Sequence, residues 1–381
     1  MPPDITGRSY IVIDQLTGEV LLEKDADIPL PMASTTKIMT ALLALEMGDL
    51  DDRVEVSAHA SRTTGSRAYL DAGERHSLED LLYAMLIYSA NDAAVAIAEH
   101  IGGTESNFVR LMNERAEQLG LRNTHFANPH GLTAEGHYSS SADLAKLARV
   151  AMLWDQFRQI VITERYTLPW PAQNSVRELY NINDLIYRYE GATGIKTGYT
   201  SAAGQCIVAS ARRGETEVIA VILNDQNGRL FDDAVKLLDY GFTMYQDRVL
   251  QSGGEPVANL PATFREGIEV VPAGQVTARL PVTIEEDEIE RVIFWNEPLK
   301  TPIERGHRLG NLQIRIHGAT IAEVPLVSGQ SVDAEPAGGS TRLWWIIPVL
   351  ALYIPWRIRL TVRRRRRRMA ILKRYRQASH S

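Results

Sequence analysis

The stretch Ser34-Thr35-Thr36-Lys37, which opens the run STTKIMTALLALE over residues 34–46, decides the fold of this chain. The run is apolar almost throughout after Lys37, which predicts a helix buried at the centre of its domain. Spacing by three residues places Lys37 on the same helical face as Ser34. Burial and the positive end of the helix dipole both disfavour an ammonium there. A partly neutral Lys37 can take the proton of the Ser34 hydroxyl and make it a nucleophile.

A single SxxK has a simpler interpretation, in which Ser34 caps the helix and Lys37 extends to solvent. About one such motif is expected by chance in a chain of this length. A second motif, Ser89-Ala90-Asn91, lies between helical stretches predicted at 78–87 and 92–101. Ser89 could relay a proton, and the Asn91 amide could both hold Lys37 and bind a substrate amide. Taken alone, this motif is better explained by a helix cap and a turn.

The third motif, Lys196-Thr197-Gly198, precedes two β-like runs at 205–210 (QCIVAS) and 218–223 (VIAVIL). The runs predict an antiparallel hairpin, with the motif at its leading edge. Its lysine and threonine offer a cation and a hydroxyl to a carboxylate, and its glycine allows a close backbone approach to substrate. SxxK, SxN and KTG in this order indicate an active-site serine acyl transferase.

Further segments carry a family resemblance. They are the N-terminal hairpin at 9–14 and 19–22, the stretch 125–132 (HFANPHGL), the stretch 138–145 (YSSSADLA), Gly228-Arg229 and the run 302–327. Together with the three motifs, they make residues 8–328 resemble the serine-type D-Ala-D-Ala carboxypeptidases, which are low-molecular-weight penicillin-binding proteins. SAN stands where SGN is frequent in the family.

The resemblance implies that Ser34, Lys37 and Ser89 are catalytic, as nucleophile, base and proton relay. It implies a substrate-binding role for a second set: Asn91, Lys196, Thr197, Gly198, Tyr199 and Arg229. The implied partners are peptidoglycan stem peptides, which would lose their terminal D-alanine, and β-lactams, which would acylate Ser34. Neither a cofactor nor a metal is implied. Backbone N–H groups of Ser34 and Tyr199 would hold the oxyanion. For His130, a loop-structuring role is at least as good an interpretation as a catalytic one.

Three other functions remain open at this point. A β-lactamase-like hydrolase shares the motifs but normally lacks an additional β-domain and a C-terminal anchor. An inactive membrane-anchored scaffold that binds the cell wall is a second alternative, although the intact motifs argue against it. The third is a tail-anchored cytoplasmic protein.

Composition predicts how the chain is divided. Apolar residues make up 45% of its 381 residues, which is ample for two cores. We expect a mixed α/β (α+β) catalytic domain of the β-lactamase/DD-peptidase type over 8–250, with an antiparallel sheet flanked by helices. A small all-β domain is expected at 255–327, and a flexible linker at 328–341. The lone Cys206 is interpreted as a buried structural thiol.

Residues 342–381 are expected to anchor the protein in the cytoplasmic membrane. They hold twelve Lys or Arg and no acidic residue. Nucleic-acid binding is the alternative interpretation of the arginine run, but its position directly after the apolar stretch 343–356 favours a membrane-flanking cluster. Fourteen uncharged residues suit an interfacial helix, whereas 343–362 would be long enough to span with Arg357 and Arg359 snorkelling. Spanning would place the basic tail in the cytoplasm and the catalytic domain outside.

The N-terminal residues, Met1-Pro2-Pro3-Asp4, show neither a basic region nor an apolar region typical of a signal peptide. We therefore expect that the true start lies upstream, or that a signal was removed.

Overall fold

The structure is a computed structural model that describes residues 1–260, 268–296 and 302–333. The helices are α1 Lys37–Met47, α2 Leu78–Ile87, α3 Asn91–Gly102, α4 Glu105–Gln118, α5 Ser141–Ala151, α6 Asp155–Ile162, α7 Leu185–Arg188 and α8 Leu230–Thr243. The first strands are β1 Ser9–Asp14, β2 Val20–Lys24, β3 Arg53–Glu55, β4 Arg75–Ser77, β5 Arg165–Trp170, β6 Ser175–Tyr180, β7 Ala192–Thr200, β8 Gly204–Arg213 and β9 Thr216–Asp225. The remaining strands are β10 Tyr245–Gln251, β11 Ala258–Leu260, β12 Ile268–Pro272, β13 Val276–Pro281, β14 Ile289–Trp295, β15 Arg308–Ile316 and β16 Ala319–Ser328.

A five-stranded antiparallel sheet organises the first part of the chain, in the order β2-β1-β9-β8-β7. Both faces of its central strands are buried, because alternate side chains of a strand point in opposite directions. Val12 of β1 joins the core beneath α8, while its neighbours Ile11 and Ile13 join the larger core around α1. The predicted antiparallel sheet flanked by helices is confirmed.

Helix α1 is the buried central helix that the sequence predicts. Every residue from Lys37 to Leu45 is buried, and the helix packs against α2, α3, α4 and α5. The α-helix begins at Lys37 rather than at Ser34, because a 3₁₀ turn at Ala33–Thr36 precedes it. The hydroxyls of Thr35 and Thr36 bond to the carbonyls of Met32 and Ala33, which satisfies acceptors in this turn.

The break that carries the second motif is also where the sequence predicts it. A capping box between Ser77 and Asp80 opens α2, which ends at Ile87. Helix α3 begins at Asn91 and ends against Gly103, whose φ of 74° fits a left-handed C-cap. The three residues between the helices include Ser89, which has a φ of 67°.

In its described residues, the C-terminal part has β-strands and no α-helix, as expected, and it has a separate apolar core. Its main sheet has the order β11-β12-β16-β15-β14. The predicted boundary at residue 250 falls within β10, which pairs with β13 of this part. Strand β16 ends at Ser328, where the linker is expected to begin, and most of that linker lies outside the described residues, as does the whole expected anchor. No helix in the described part of the chain is both long and apolar enough to cross a membrane.

Candidate active site

The first two motifs meet at the side chain of Lys37. Its Nζ lies 2.9 Å from Ser34 Oγ, 2.6 Å from Asn91 Oδ1 and 2.6 Å from the carbonyl oxygen of His130. Asn91 donates its own amide N–H to the carbonyl of Thr64, so its oxygen is the atom turned to Lys37. An amide oxygen and a carbonyl can only accept. A neutral amine that donates to both therefore keeps its lone pair for the Ser34 hydroxyl.

Electrostatics favours this neutral form. Burial, followed by the positive charge of Lys196, holds the pKa of Lys37 well below its ordinary value, and Asp92 only partly opposes the shift. Burial also lowers the pKa of Lys196, to about 7. Both shifts have the same direction, so the contacts of the two lysines distinguish their tasks. Near neutral pH, Lys37 is suited to accept a proton and Lys196 to hold an anion.

Lys196 has an incomplete set of partners. It is 1% exposed, and its Nζ donates one hydrogen bond, at 2.9 Å, to the carbonyl of Thr197. No acidic residue among the described ones forms an ion pair with it. An ammonium has three N–H groups, so Lys196 retains donors for a ligand. Its strand neighbour Tyr199 is 68% exposed.

Gly198 brings strand β7 against the 3₁₀ turn at Ala33–Thr36, which carries the predicted nucleophile Ser34 and is called the nucleophile turn. A Cβ on Gly198 would lie 2.6 Å from the backbone nitrogen of Ser34 and 3.0 Å from the side chain of Ala33. A side chain there would push the strand away from Ser34. The glycine therefore allows close contact with the nucleophile turn, and its predicted contact with substrate stays a prediction.

Ser89 is buried and adopts a left-handed backbone conformation that is uncommon for a residue with a side chain. Its hydroxyl makes no hydrogen bond to any described residue. Strained backbone of this kind concentrates at functional sites, where the surrounding fold imposes it. The Ser89 hydroxyl is thus left available for proton relay.

His130 contributes its backbone to the site. Its carbonyl accepts from Lys37, while its ring Nδ1 accepts from the backbone nitrogen of Leu132. Burial, followed by the charge of Lys37, lowers the pKa of His130 to about 3, so the ring is neutral. Asn128 shapes the same loop by accepting from the backbone N–H of Gly131. The contacts support the loop-structuring role.

Arg229 lies exposed at the N-terminus of α8 and forms no ion pair within the described ranges. Its two acidic neighbours have other contacts. Asp225 accepts from Thr6, and Asp232 lies 3.9 Å from Arg188. The guanidinium is therefore free to meet a ligand carboxylate.

Several supporting residues lie outside the motifs. Asp92 accepts from the backbone N–H groups of Ala68 and Leu70, so α3 holds the loop that Asn91 also contacts. Arg177 also donates hydrogen bonds to this loop, to the carboxylate of Glu74 and the carbonyl of Tyr69. For Asp92, the sequence offered one signal of a supporting role, an acidic residue directly after the SxN motif. For Arg177, the sequence offered no such signal.

Within the described residues, one group could offer three ligands to a metal ion: Glu19, Glu288 and His317, whose ligand atoms lie within 4.8 Å of one another. Glu288 and His317 already bond to each other at 2.9 Å. None of the three belongs to a motif, and the expectation that no metal or cofactor takes part stays a prediction. Cys206 is buried, as expected, and burial raises the pKa of its thiol to about 12.

Comparison with known proteins gives relatives for both parts of the chain. The family profile of D-alanyl-D-alanine carboxypeptidase, Peptidase_S11, matches residues 1–227, and that of the penicillin-binding protein 5 C-terminal domain matches residues 249–334. The D-alanyl-D-alanine carboxypeptidase DacF of Bacillus subtilis is 34% identical over 346 residues, covering 88% of each chain. DacC of Escherichia coli is 31% identical over 360 residues, covering 90% of this chain and 88% of its own. The crystal structure of penicillin binding protein 5 from Haemophilus influenzae has a TM-score of 0.63 at 28% identity, covering 87% of this chain and 99% of that one.

Proposed function

The chain belongs to the D-alanyl-D-alanine carboxypeptidase family and is a serine hydrolase of that kind, and we propose that it acts through an acyl-enzyme on Ser34. The observation that carries this proposal is the geometry of Lys37, whose Nζ lies 2.9 Å from Ser34 Oγ while two obligate acceptors take its other contacts. Such an arrangement turns a lone pair toward the hydroxyl that must lose its proton.

In the acylation step, Ser34 Oγ attacks the carbonyl carbon of the penultimate D-alanine, and Lys37 takes the hydroxyl proton. The negative charge that develops on the carbonyl oxygen is held by the backbone N–H groups of Ser34 and Tyr199. The C–N bond then breaks, and Ser89 passes the proton from Lys37 to the departing D-alanine amine. A water molecule then attacks the carbonyl carbon of the resulting ester while Lys37 accepts one of its protons. The bond between this carbon and Ser34 Oγ breaks, and Lys37 returns the proton to Ser34 Oγ.

Recognition of the terminal carboxylate restricts the enzyme to chain ends. Lys196 has unused donors, Thr197 adds a hydroxyl, and Arg229 has no competing ion pair among the described residues. Charge-assisted hydrogen bonds of this kind are roughly twice as strong as neutral ones. A substrate without a free carboxylate cannot form these hydrogen bonds, and the enzyme therefore acts as an exopeptidase.

Penicillin is proposed to acylate Ser34 as a substrate mimic and to leave slowly. A β-lactamase-like hydrolase would instead release the acyl group quickly, and the all-β C-terminal part supports the carboxypeptidase. The lifetime of the acyl-enzyme with penicillin separates the two functions. Minutes or longer indicates the carboxypeptidase, and turnover within seconds indicates the β-lactamase.

We also propose that residues 342–381, which lie outside the described residues, attach the enzyme to the cytoplasmic membrane. Their composition supports this, with an apolar stretch at 343–356 followed by an arginine cluster. The catalytic domain would face the cell wall and the tail the cytoplasm. External protease on intact protoplasts should digest the domains and spare a small C-terminal fragment. Full protection of the catalytic domain would overturn this topology.

The activity itself is tested by release of D-alanine from diacetyl-Lys-D-Ala-D-Ala, with and without penicillin. We expect release that penicillin abolishes, together with covalent labelling of Ser34 by a fluorescent penicillin. Ser34→Ala should remove both. Labelling that persists in Ser34→Ala would place the acylated residue elsewhere. A wild-type protein that neither labels nor releases D-alanine would favour the inactive scaffold.

A further inference from the structure

A buried histidine outside the three motifs lies directly behind the nucleophile turn. His137 is 6% exposed, and its Nδ1 accepts a hydrogen bond from the backbone N–H of Ala127 at 3.0 Å. Because a backbone N–H can only donate, Nδ1 carries a lone pair and the ring proton sits on Nε2. The fold therefore fixes one tautomer of this ring.

The protonated side of the ring faces the SxxK motif. His137 Nε2 lies 2.8 Å from Thr36 Oγ1, and Thr36 Oγ1 lies 2.8 Å from the carbonyl oxygen of Ala33. The carbonyl can only accept, so the Thr36 hydroxyl donates to it and accepts from His137. The three hydrogen bonds from Ala127 to Ala33 thus run in one direction, an arrangement in which each bond strengthens the next.

This series of hydrogen bonds ends at Ala33, the residue before the nucleophile. Ala33 has a φ of 49°, a left-handed conformation that is uncommon for a residue with a Cβ. Its carbonyl is enclosed on the other side by Gly131, where a Cβ would come within 1.9 Å of the oxygen. The orientation of the Ala33–Ser34 peptide sets the direction of both the Ser34 side chain and its backbone N–H.

We propose that His137 is a positioning residue for the reaction, which holds the strained turn before Ser34 through Thr36 and the Ala33 carbonyl. The proposal rests on the proposed acyl-enzyme at Ser34. A role limited to core filling would need only the ring's volume, whereas positioning needs the Nε2–H donor. Burial, followed by the charges of His125 and Lys37, lowers the pKa of His137 to about 4, so the ring stays neutral and keeps this donor around neutral pH.

Two substitutions of His137 separate its two hydrogen bonds. His137→Gln places an amide N–H near the Nε2 position and keeps the donor to Thr36. His137→Asn places an oxygen near the Nδ1 position and keeps the acceptor for Ala127, but it has no donor that reaches Thr36. The measurement is the second-order rate of Ser34 acylation by a fluorescent penicillin, together with the midpoint of thermal unfolding.

Both variants should unfold at lower temperature than the wild type, but only His137→Asn should acylate slowly. We expect a loss of about 10- to 100-fold for Asn, the scale of a small misplacement of a reacting group. Gln should stay within about threefold of the wild-type rate. Equal acylation rates in the two variants would overturn the proposal.

Thr36→Val provides an independent test that leaves His137 in place. It should lose as much acylation rate as His137→Asn, and the double variant should lose no more than either single one, because one chain of contacts is broken in all three. Thr35→Val is the matched control. The Thr35 hydroxyl also donates to a backbone carbonyl, that of Met32, at 2.7 Å, but it accepts no hydrogen bond from any histidine that the structure describes. Additive losses, a wild-type rate in Thr36→Val, or an equal loss in Thr35→Val would contradict the role of His137. A wild-type protein that is not labelled at Ser34 would instead overturn the proposed function.

Discussion

Two lysines of the active site differ in surroundings although both are buried. Lys37 is 0% exposed and Lys196 is 1% exposed. The Nζ of Lys37 contacts two obligate acceptors and the Ser34 hydroxyl, whereas that of Lys196 contacts one backbone carbonyl. The protein thus completes the environment of Lys37, the lysine that we propose as base, and it leaves donors unused on Lys196, the lysine that we propose to meet the ligand. Burial is common to both, so the partners decide the task.

The largest expected effect comes from removing the base. Lys37→Ala should lower acylation by about 10⁴-fold or more, with penicillin and with peptide alike, because every acyl donor needs the Ser34 proton removed. The double variant with Ser34→Ala should be no worse than Ser34→Ala alone, since the two residues act as a unit. Labelling with fluorescent penicillin measures both. A Lys37→Ala chain that keeps a tenth of the wild-type rate would show that the base is another group.

Lys196→Met should affect substrates selectively. For peptides ending in D-Ala-D-Ala, kcat/KM should fall about 100-fold, the scale of a lost charge-assisted hydrogen bond to a carboxylate. A peptide with a C-terminal carboxamide, which the wild type should cleave poorly, serves as the control and should lose little further activity. Equal losses of kcat/KM for the carboxylate peptide and the carboxamide peptide would show that Lys196, like Lys37, acts on every substrate and does not recognise the carboxylate.

Arg229→Ala should have a smaller effect in the same direction. Its guanidinium is exposed, and water screens its attraction for a carboxylate, so we expect a loss of about tenfold in kcat/KM. Arg229→Lys should recover most of this loss if charge suffices and little if the bidentate geometry matters. An unchanged kcat/KM in Arg229→Ala would leave Lys196 and Thr197 as the carboxylate site.

The smallest expected effect is on the stability of Lys196→Met. This substitution should lower activity but raise the free energy of unfolding. The pKa of Lys196 is lowered by burial to about 7 in the folded chain, from 10.5 in the unfolded one. Below pH 7, Lys196 is charged in both the folded and the unfolded state, and the folded state bears the full cost of desolvating this charge. As the pH rises from 7 toward 10.5, Lys196 is neutral in the folded state, and this cost to stability decreases. Lys196→Met should therefore raise the unfolding free energy by roughly 1–2 kcal/mol at pH 6 and by much less at pH 10. Thermal unfolding at both pH values measures the change, and destabilisation at pH 6 would show that a partner besides the Thr197 carbonyl stabilises the Lys196 ammonium in the free enzyme.

Elements with local signals were predictable from the sequence. The capping box at Ser77, the helix stop at Gly103 and the paired strands β8 and β9 each depend on residues close together along the chain. Lys37 could be placed beside Ser34 for the same reason, because three residues of helix fix their separation.

Features that depend on distant contacts were not predictable. His137 and Thr36 are 101 residues apart, and no spacing rule connects them. The left-handed backbone at Ala33 and Ser89 runs against the preferences of both residue types, since the surrounding fold imposes it. The predicted boundary at residue 250 falls within β10, because the pairing of this strand with β13 depends on residues further along the chain.

The most direct test of the contrast between the lysines is an NMR titration of lysine side chains labelled at Cε, assigned with Lys37→Met and Lys196→Met. Lys196 should titrate near pH 7, and its pKa should rise when a ligand carboxylate binds, since an added negative charge favours the ammonium. Lys37 should titrate well below the ordinary range of a lysine, because burial and the charge of Lys196 lower its pKa. A Lys37 side chain that titrates in the ordinary range of a lysine in the free enzyme, or a Lys196 whose pKa does not rise when the ligand carboxylate binds, would contradict the assignment of base and anion holder.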